Sequence, residues 1–164
     1  MSLYLIANGP MPTTAAFAVV TTGTAIKTLL QVKPLMLAKV VEWGISFDGF
    51  AAAAPINVEL IETDVAATVT ASVEADIVKL DRPTIALAAE VMTLGTAGTG
   101  YTGSAEGTIT AVRTLDLQLI APTSQYVKQY PLGREPVIAK NLFGRIRVTA
   151  AAAVNAYCYM ILEI

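Results

Sequence analysis

Apolar and polar residues alternate at every second position along much of this chain. The clearest example is segment 41–48, in which every second side chain is large and apolar: Val41, Trp43, Ile45 and Phe47. Because successive side chains of a strand point to opposite faces, this pattern predicts a strand with one buried face. We therefore expect Trp43 to lie in the layer between two packed sheets.

The same alternation predicts further strands at 26–33, 56–63, 114–119 and 142–149. In segment 114–119 the apolar side consists of Leu115, Leu117 and Leu119, and the same rule places these leucines on the buried side. Proline cannot donate a ladder hydrogen bond, so Pro34 ends the first of these strands.

The C-terminal segment 155–164 differs because both of its strand faces are apolar. One face is small or aliphatic and includes Cys158, which we expect to be a buried, unreactive thiol. The other face carries Tyr157, Tyr159 and Ile161. A strand that is apolar on both faces needs cover on both, so we expect these three residues to meet another subunit or another protein.

Further strand signals occur at Leu3–Ala7 and, more weakly, at 17–21, 69–73 and 126–130. The total is about eight to ten short strands, which predicts an all-β domain built as two packed sheets or a barrel. We expect one domain at 15–164, preceded by an N-terminal strand and a Pro/Gly arm at 1–14. The best candidate for a helix is 75–80, or a turn built around 85–92, where LAAEVM has helix-forming composition.

The arm contains the sequence Asn8-Gly9-Pro10-Met11-Pro12. Two prolines without N–H donors prevent regular structure here, and we expect Pro10 and Pro12 to reach over a neighbouring chain or another protein. The same residues interrupt the apolar run and no positive charge precedes Lys27, so the segment is not typical of a signal peptide.

Composition favours a protein that functions in an assembly. Hydrophobic residues make up 54% of the chain and charged residues only 15%, against about 25% charged in an average soluble domain. A surface so poor in charge exposes neutral patches, which usually mark interfaces. The net charge of −2 argues against nucleic acid or an anionic membrane as a partner.

Residues suited to catalysis are few. The chain has no histidine, so the Ser/His/Asp and Cys/His arrangements are excluded and common zinc sites lose their usual ligand. Carboxylate pairs remain as candidates, at Glu59 and Glu62 with Asp64 or at Glu74 with Asp76. We interpret Glu59 as a group that solvates an exterior surface and Glu62 and Asp64 as residues that close the strand, and we expect neither an enzyme nor a cofactor or metal.

Segment 93–108, TLGTAGTGYTGSAEGT, is rich in Gly, Thr and Ala and contains G-x-G-x-x-G at Gly98, Gly100 and Gly103. A dinucleotide site needs this motif between a strand and a helix, but a strand-like TITAV follows here. We therefore predict a long surface loop that contacts partners rather than a phosphate site.

Three blocks of the sequence resemble a known family. They are KVVEWGISFDGFAAAAPINVELIET at 39–63, QYPLGREPVIA at 129–139 and RIRVTAAAAVNAY at 145–157. In order and spacing they resemble the decoration, or cement, proteins of tailed bacteriophage capsids. The resemblance covers most of the chain but is weakest at 64–108.

The resemblance implies a jelly-roll β-sandwich that forms a homotrimer. It further implies a virion protein, made in the host cytoplasm, that binds the major capsid protein on the outer capsid surface and bridges capsomers. No catalytic residues are implied, but Tyr130, Arg134 and Glu135 lie in the second block and are candidate interface residues. The alternative from the residues is a carbohydrate- or receptor-binding sandwich, as in tail fibres or lectins.

Overall fold

A computed structural model describes residues 1–50, 54–81 and 88–164 of the chain. The described part is almost entirely β, with thirteen strands instead of the eight to ten expected. The strands are β1 Leu3–Ala7, β2 Val20–Thr21, β3 Lys27–Val32, β4 Ala38–Asp48, β5 Ile56–Thr63, β6 Thr68–Ala71, β7 Ile77–Lys79, β8 Gly100–Ala105, β9 Val112–Ile120, β10 Gln125–Gln129, β11 Val137–Ile138, β12 Phe143–Thr149 and β13 Asn155–Glu163.

The strands form two antiparallel sheets packed face to face, which confirms the predicted all-β sandwich. Sheet A has seven strands in the order β10-β4-β13-β1-β7, with short β11 and β2 added beside β4 and β13. Sheet B has six strands in the order β6-β8-β3-β12-β5-β9. Both long edge strands, β9 and β10, lie on the same side of the sandwich because one short turn joins them.

Eight of the strands follow the topology of a jelly roll. Four antiparallel pairs are nested along the chain: β1 with β13, β3 with β12, β4 with β10, and β5 with β9. This long folded hairpin closes into two sheets because β13 also pairs with β4 and β12 with β5. The result is the double-sheet arrangement that the resemblance implied.

The core lies between the two sheets and consists of the apolar alternations seen in the sequence. Trp43 is fully buried, and Ile45 from the same strand and Ile146 and Leu60 from sheet B are buried with it. The predicted inward face of β4 is therefore confirmed for Trp43, Ile45 and Phe47 but wrong at Val41, because the pairing with β13 shifts register there and places Val40 in the core instead. Cys158 of β13 is also fully buried, and this burial raises the pKa of its thiol well above the ordinary range.

Strand β1 is an internal strand of sheet A rather than part of a free arm. It lies between β13 and β7, and its Tyr4 and Ile6 side chains are buried. The Asn8 amide nitrogen donates a hydrogen bond to the carbonyl oxygen of Ala156 at 3.1 Å. The Asn8 side-chain oxygen accepts one from the N–H of Cys158 at 3.0 Å. The irregular arm therefore begins after Asn8.

The segment between β5 and β9 adds β6, β7 and β8 to the eight-stranded fold. It includes Gly100–Ala105, which forms β8 beside β3, so the expectation of a long loop at 93–108 is wrong. The glycines allow backbones to pack closely: a Cβ on Gly100 would lie 2.2 Å from the carbonyl oxygen of Thr70. Close strand packing, rather than phosphate binding, explains the glycine motif.

Part of this segment covers one half of the outer face of sheet B. Glu106 accepts hydrogen bonds from the Thr28 N–H at 2.6 Å and from the Thr28 hydroxyl at 2.7 Å. Arg145 of β12 forms an ion pair with Glu106 at 3.3 Å and also donates to the carbonyl oxygen of Val65. The Gln31 amide nitrogen donates to the carbonyl oxygen of Gly98 at 2.7 Å. These contacts bury Arg145 completely.

The helix expectations were only partly met. Segment 75–80 is not a helix: a single 3₁₀ turn at Glu74–Asp76 is followed directly by β7. Helix α1, Ala88–Val91, is one turn long and falls within segment 85–92, of which residues 85–87 lie outside the described residues. Within the described part of the chain, no helix has the length and apolar character required to span a membrane.

Candidate interaction surfaces

The outer face of sheet A carries a row of aromatic side chains, which we call the tyrosine face: Phe17, Tyr157 and Tyr159. The ring centroids of Phe17 and Tyr157 are 4.8 Å apart, and those of Tyr157 and Tyr159 are 6.2 Å apart. Tyr159 lies over Gly44, where a Cβ would come within 2.7 Å of its ring. Its hydroxyl donates a 2.6 Å hydrogen bond to Glu42.

The structure brings several of the predicted interface residues together here. Pro10 and Pro12 are exposed and line, with Phe17 and Tyr157, an apolar cleft of about 200 Å³. Ile161 lies on the same outer face, two residues beyond Tyr159 along β13. The arm and the tyrosine face therefore form one continuous surface.

Tyr130, Arg134 and Glu135 lie in a separate place, in the turn that joins β10 to β11. This turn is tight, because the N–H of Arg134 donates to the carbonyl oxygen of Pro131 at 2.9 Å. Glu135 accepts a hydrogen bond from the N–H of Gly133 at 2.8 Å. Gly133 has a φ of 82°, as the third residue of a type II turn requires.

The turn presents a residue that the sequence argument missed. Leu132 stands at its tip and is 93% exposed, whereas the neighbouring Tyr130 packs partly against the core. Arg134 is exposed. Of the three predicted residues, Arg134 is thus the one most open to a partner.

A second missed surface follows β9, the edge strand of sheet B. Leu117 and Leu119 point outward and are 64% and 67% exposed. Beside them lies an open cleft of about 480 Å³, lined also by Asn57, Glu59 and Thr149. We call these five residues, together with the free edge of β9, the β9 surface.

The expected orientation of β9 is therefore wrong at Leu117 and Leu119. The pairing with β5 shifts register between Leu60 and Ile61, so one extra residue of β9 changes which side chains point inward. After the shift the inward positions are Asp116, Gln118 and the buried Ile120. One residue in the sequence indicates this inversion. Ile120 is apolar but falls on the same side of the alternation as Thr114, Asp116 and Gln118.

Asp116 points inward and links the two sheets on the side of the sandwich where β9 and β10 are the edge strands. It accepts a hydrogen bond from the Tyr126 hydroxyl of β10 at 3.1 Å, and one from the Gln118 amide at 2.8 Å. Burial, together with the bond to Asp116, raises the pKa of Tyr126 to about 12. Tyr126 also packs against Trp43, with ring centroids 5.2 Å apart.

This raised pKa predicts a loss of stability in alkali. The folded pKa of Tyr126 is higher than the ordinary value of about 10 in the unfolded chain, so its contribution is complete below pH 10 and is lost as pH rises through 12. In urea denaturation the wild type should have a higher free energy of unfolding than Tyr126→Phe below pH 10, and this difference should be lost between pH 10 and pH 12. A difference that stays constant from pH 8 to 12 would contradict the bond to Asp116.

The carboxylates considered for catalysis all have partners within the fold. Glu59 pairs with Arg147 at 2.7 Å, and Glu62 with Arg113 at 3.0 Å. Asp64 accepts bonds from the backbone N–H groups of Thr110 and Ala111, and Asp76 from that of Val73. Glu74 accepts one from Ala89 at 3.2 Å. Among the described residues, no group of three potential metal ligands occurs.

Comparisons with known proteins give no information about the function of these surfaces. No protein-family model, no curated protein and no solved structure matches this chain.

Proposed function

We propose that this chain is a structural virion protein that binds the outer surface of a phage capsid as a trimer. In this role it contacts the major capsid protein and bridges neighbouring capsomers, which stabilises the shell. The jelly-roll topology and the resemblance of three sequence blocks to decoration proteins support this proposal. Its attachment depends on interfaces and uses no reaction, cofactor, nucleic acid or membrane.

The observation that carries the proposal is the apolar, charge-poor surface. Fourteen large hydrophobic side chains of the described residues are at least 40% exposed, whereas only 15% of the whole chain is charged. Contiguous apolar surface usually marks interaction sites, and here it occurs at the cleft beside Phe17 and Tyr157 and at Leu117 and Leu119. Buried apolar area contributes about 25 cal/mol per Å², and repetition of one contact over a shell multiplies this stabilisation.

Purified protein added to capsids that lack it tests the proposal directly. We expect saturable, stoichiometric uptake that raises the temperature at which the shell disrupts. Because the attraction is apolar, uptake should persist when the salt concentration is raised several-fold. If intact, folded protein binds neither unexpanded nor expanded capsids, the proposal is contradicted.

A matched variant of the same experiment tests the arm. Replacement of Pro10, Met11 and Pro12 by Gly-Ser-Gly leaves β1 and the Asn8 hydrogen bonds in place. We expect capsid uptake to weaken at least about tenfold, while the melting temperature of the isolated protein changes by no more than about 2 °C. Unchanged uptake would show that the arm takes no part in attachment.

The tyrosine face favours a second candidate, a carbohydrate- or receptor-binding sandwich. Aromatic rings in a row on an outer face are suited to stacking against sugar rings, and Phe17 is 53% exposed. A glycan array that is positive for the wild type and negative for Phe17→Ala, without capsid uptake, would favour this candidate.

A further inference from the structure

The loop that joins β1 to β2, residues 9–19, makes very few bonds, and we call it the arm loop. Its side chains are all exposed over residues 12–19, and its two prolines have no N–H group to donate. Within the described part of the chain, one hydrogen bond fixes this loop: the N–H of Met11 donates to the carboxylate of Asp76 at 3.3 Å. The position of the arm loop therefore depends strongly on Asp76.

The Asp76 carboxylate is itself buried and needs this bond. Asp76 is 6% exposed and takes part in none of the salt bridges among the described residues. Its two oxygens accept hydrogen bonds from backbone N–H groups instead, one from Met11 and the other from Val73 at 3.0 Å. A buried carboxylate that lacks both a cation and hydrogen bonds is strongly destabilising. The acid and the arm loop therefore stabilise each other, although 65 positions separate them in the sequence.

A second contact holds the other end of the arm loop. The Phe17 ring lies against Tyr157 of β13, with ring centroids 4.8 Å apart. Between the two contacts lies the apolar cleft of about 200 Å³, which we call the arm cleft. Pro10 and Pro12 of the arm loop line one side of it, and Ala7 of sheet A lines the other. The arm cleft therefore exists only while the arm loop lies against the sheet.

A loop that is fixed in advance binds a partner more tightly than a mobile one. A loop with few bonds and exposed side chains samples many conformations, and this conformational entropy is lost when a partner selects one of them. The bond to Asp76 removes part of that cost before the partner arrives. Because its side chain is buried, Asp76 has this effect without contacting the partner.

We propose that Asp76 is a positioning residue, which fixes the arm loop against sheet A and so forms the arm cleft before any partner binds. The hydrogen bond and the cleft are properties of the isolated protein. The inference rests on the proposed function for the identity of the partner, which is the capsid surface.

Hydrogen exchange of the isolated protein, followed by NMR, tests the bond itself. In the wild type the Met11 amide should exchange at least about tenfold more slowly than the amides of residues 13–17, each relative to its intrinsic rate. Asp76→Ala should remove this protection. Glu74→Ala is the matched control and should keep it, because Glu74 lies in the same 3₁₀ turn and loses the same charge but accepts its bond from Ala89.

Two results of this experiment would overturn the inference. One is a wild type in which the Met11 amide exchanges as fast as its neighbours. The other is a folded Asp76→Ala variant in which the Met11 amide is protected as well as in the wild type.

A second pair of variants removes the bond from the side of the arm loop. Met11→Pro has no N–H at this position, whereas Met11→Ala keeps it, and both lose the same thioether side chain. The bond from Val73 to Asp76 stays in place in both, so this pair carries the test if Asp76→Ala does not fold. The nuclear Overhauser effect between the rings of Phe17 and Tyr157 should be present in Met11→Ala and lost in Met11→Pro. Equal effects in the two variants would contradict the inference.

Capsid uptake by the Met11 variants separates this inference from the proposed function. Once circular dichroism has verified that both fold, we expect Met11→Pro to bind capsids at least about tenfold more weakly than Met11→Ala. Equal binding by the two would overturn the role of Asp76 as a positioning residue. A wild type with a protected Met11 amide that binds no capsid would support the fixed arm loop and contradict the proposed function instead.

Discussion

Trp43→Ala should destabilise the protein by about 3–5 kcal/mol, enough to unfold many domains of this size. The indole is fully buried in the core and packs against Tyr126 of the edge strand β10. Truncation removes its apolar contacts and leaves a cavity between the sheets. Urea denaturation with circular dichroism measures the free energy of unfolding.

Trp43→Phe is the control, and we expect a smaller loss because an aromatic ring still fills most of the space. Trp43 is the single tryptophan of the chain, so emission of the native protein reports on this site alone. The emission should be blue-shifted and poorly quenched by iodide. An unchanged melting temperature in Trp43→Ala would mean that the inward face of β4 has been assigned incorrectly.

Arg145→Ala should cost about 3–5 kcal/mol, because it breaks an ion pair of which the arginine is completely buried. The substitution leaves the Glu106 carboxylate and the carbonyl oxygen of Val65 without their cationic partner. The cover over sheet B then loses its ion pair and keeps bonds such as those to Thr28 and Gln31. Denaturation and hydrogen exchange of residues 64–67 and 105–108 measure the effect.

Arg147→Ala is the matched control, since Arg147 lies two residues further along the same strand and loses the same charge. Its ion pair with Glu59 is partly exposed on both sides, so we expect a loss of only about 1 kcal/mol. Arg145→Met combined with Glu106→Gln should recover part of the stability, because it leaves no buried charge. Equal losses for Arg145→Ala and Arg147→Ala would contradict the structural difference between the two pairs.

Strand positions were predictable because their pattern is local. Strands β4, β5, β12 and β13 occur where side chains alternate between apolar and polar or between core and outer faces. Weak candidates at 69–73 and 126–130 also became strands β6 and β10. Each of these elements is specified by residues close together in the chain, which is why single-sequence patterns are informative.

The orientation of β9 could not be read in the same way. Its leucines alternate as regularly as those of a core strand, but an extra residue in the pairing with β5 turns Leu117 and Leu119 outward. A bulge is a property of two strands together and leaves little trace in either one. The alternation therefore identified a strand but assigned the wrong face.

The candidate surfaces were likewise predictable in part from local pattern and in part only from the folded chain. The sequence alone determined that Tyr157, Tyr159 and Ile161 share one face of β13, because strand geometry requires it. Only the folded chain placed Phe17, Pro10 and Pro12 beside them, through a turn of the chain that no local pattern encodes. Contacts between residues so far apart depend on the whole topology.

The sequence by itself determined the all-β class, the inward face of Trp43 and a surface poor in charge, since these follow from residue type and from a period of two. Tertiary structure decided the rest. It made a strand of the glycine-rich segment at 100–105, buried Arg145 under Glu106, and left the β9 edge free. These outcomes depend on which distant segments cover which sheet face, and that choice is made by long-range packing that no short window of residues contains.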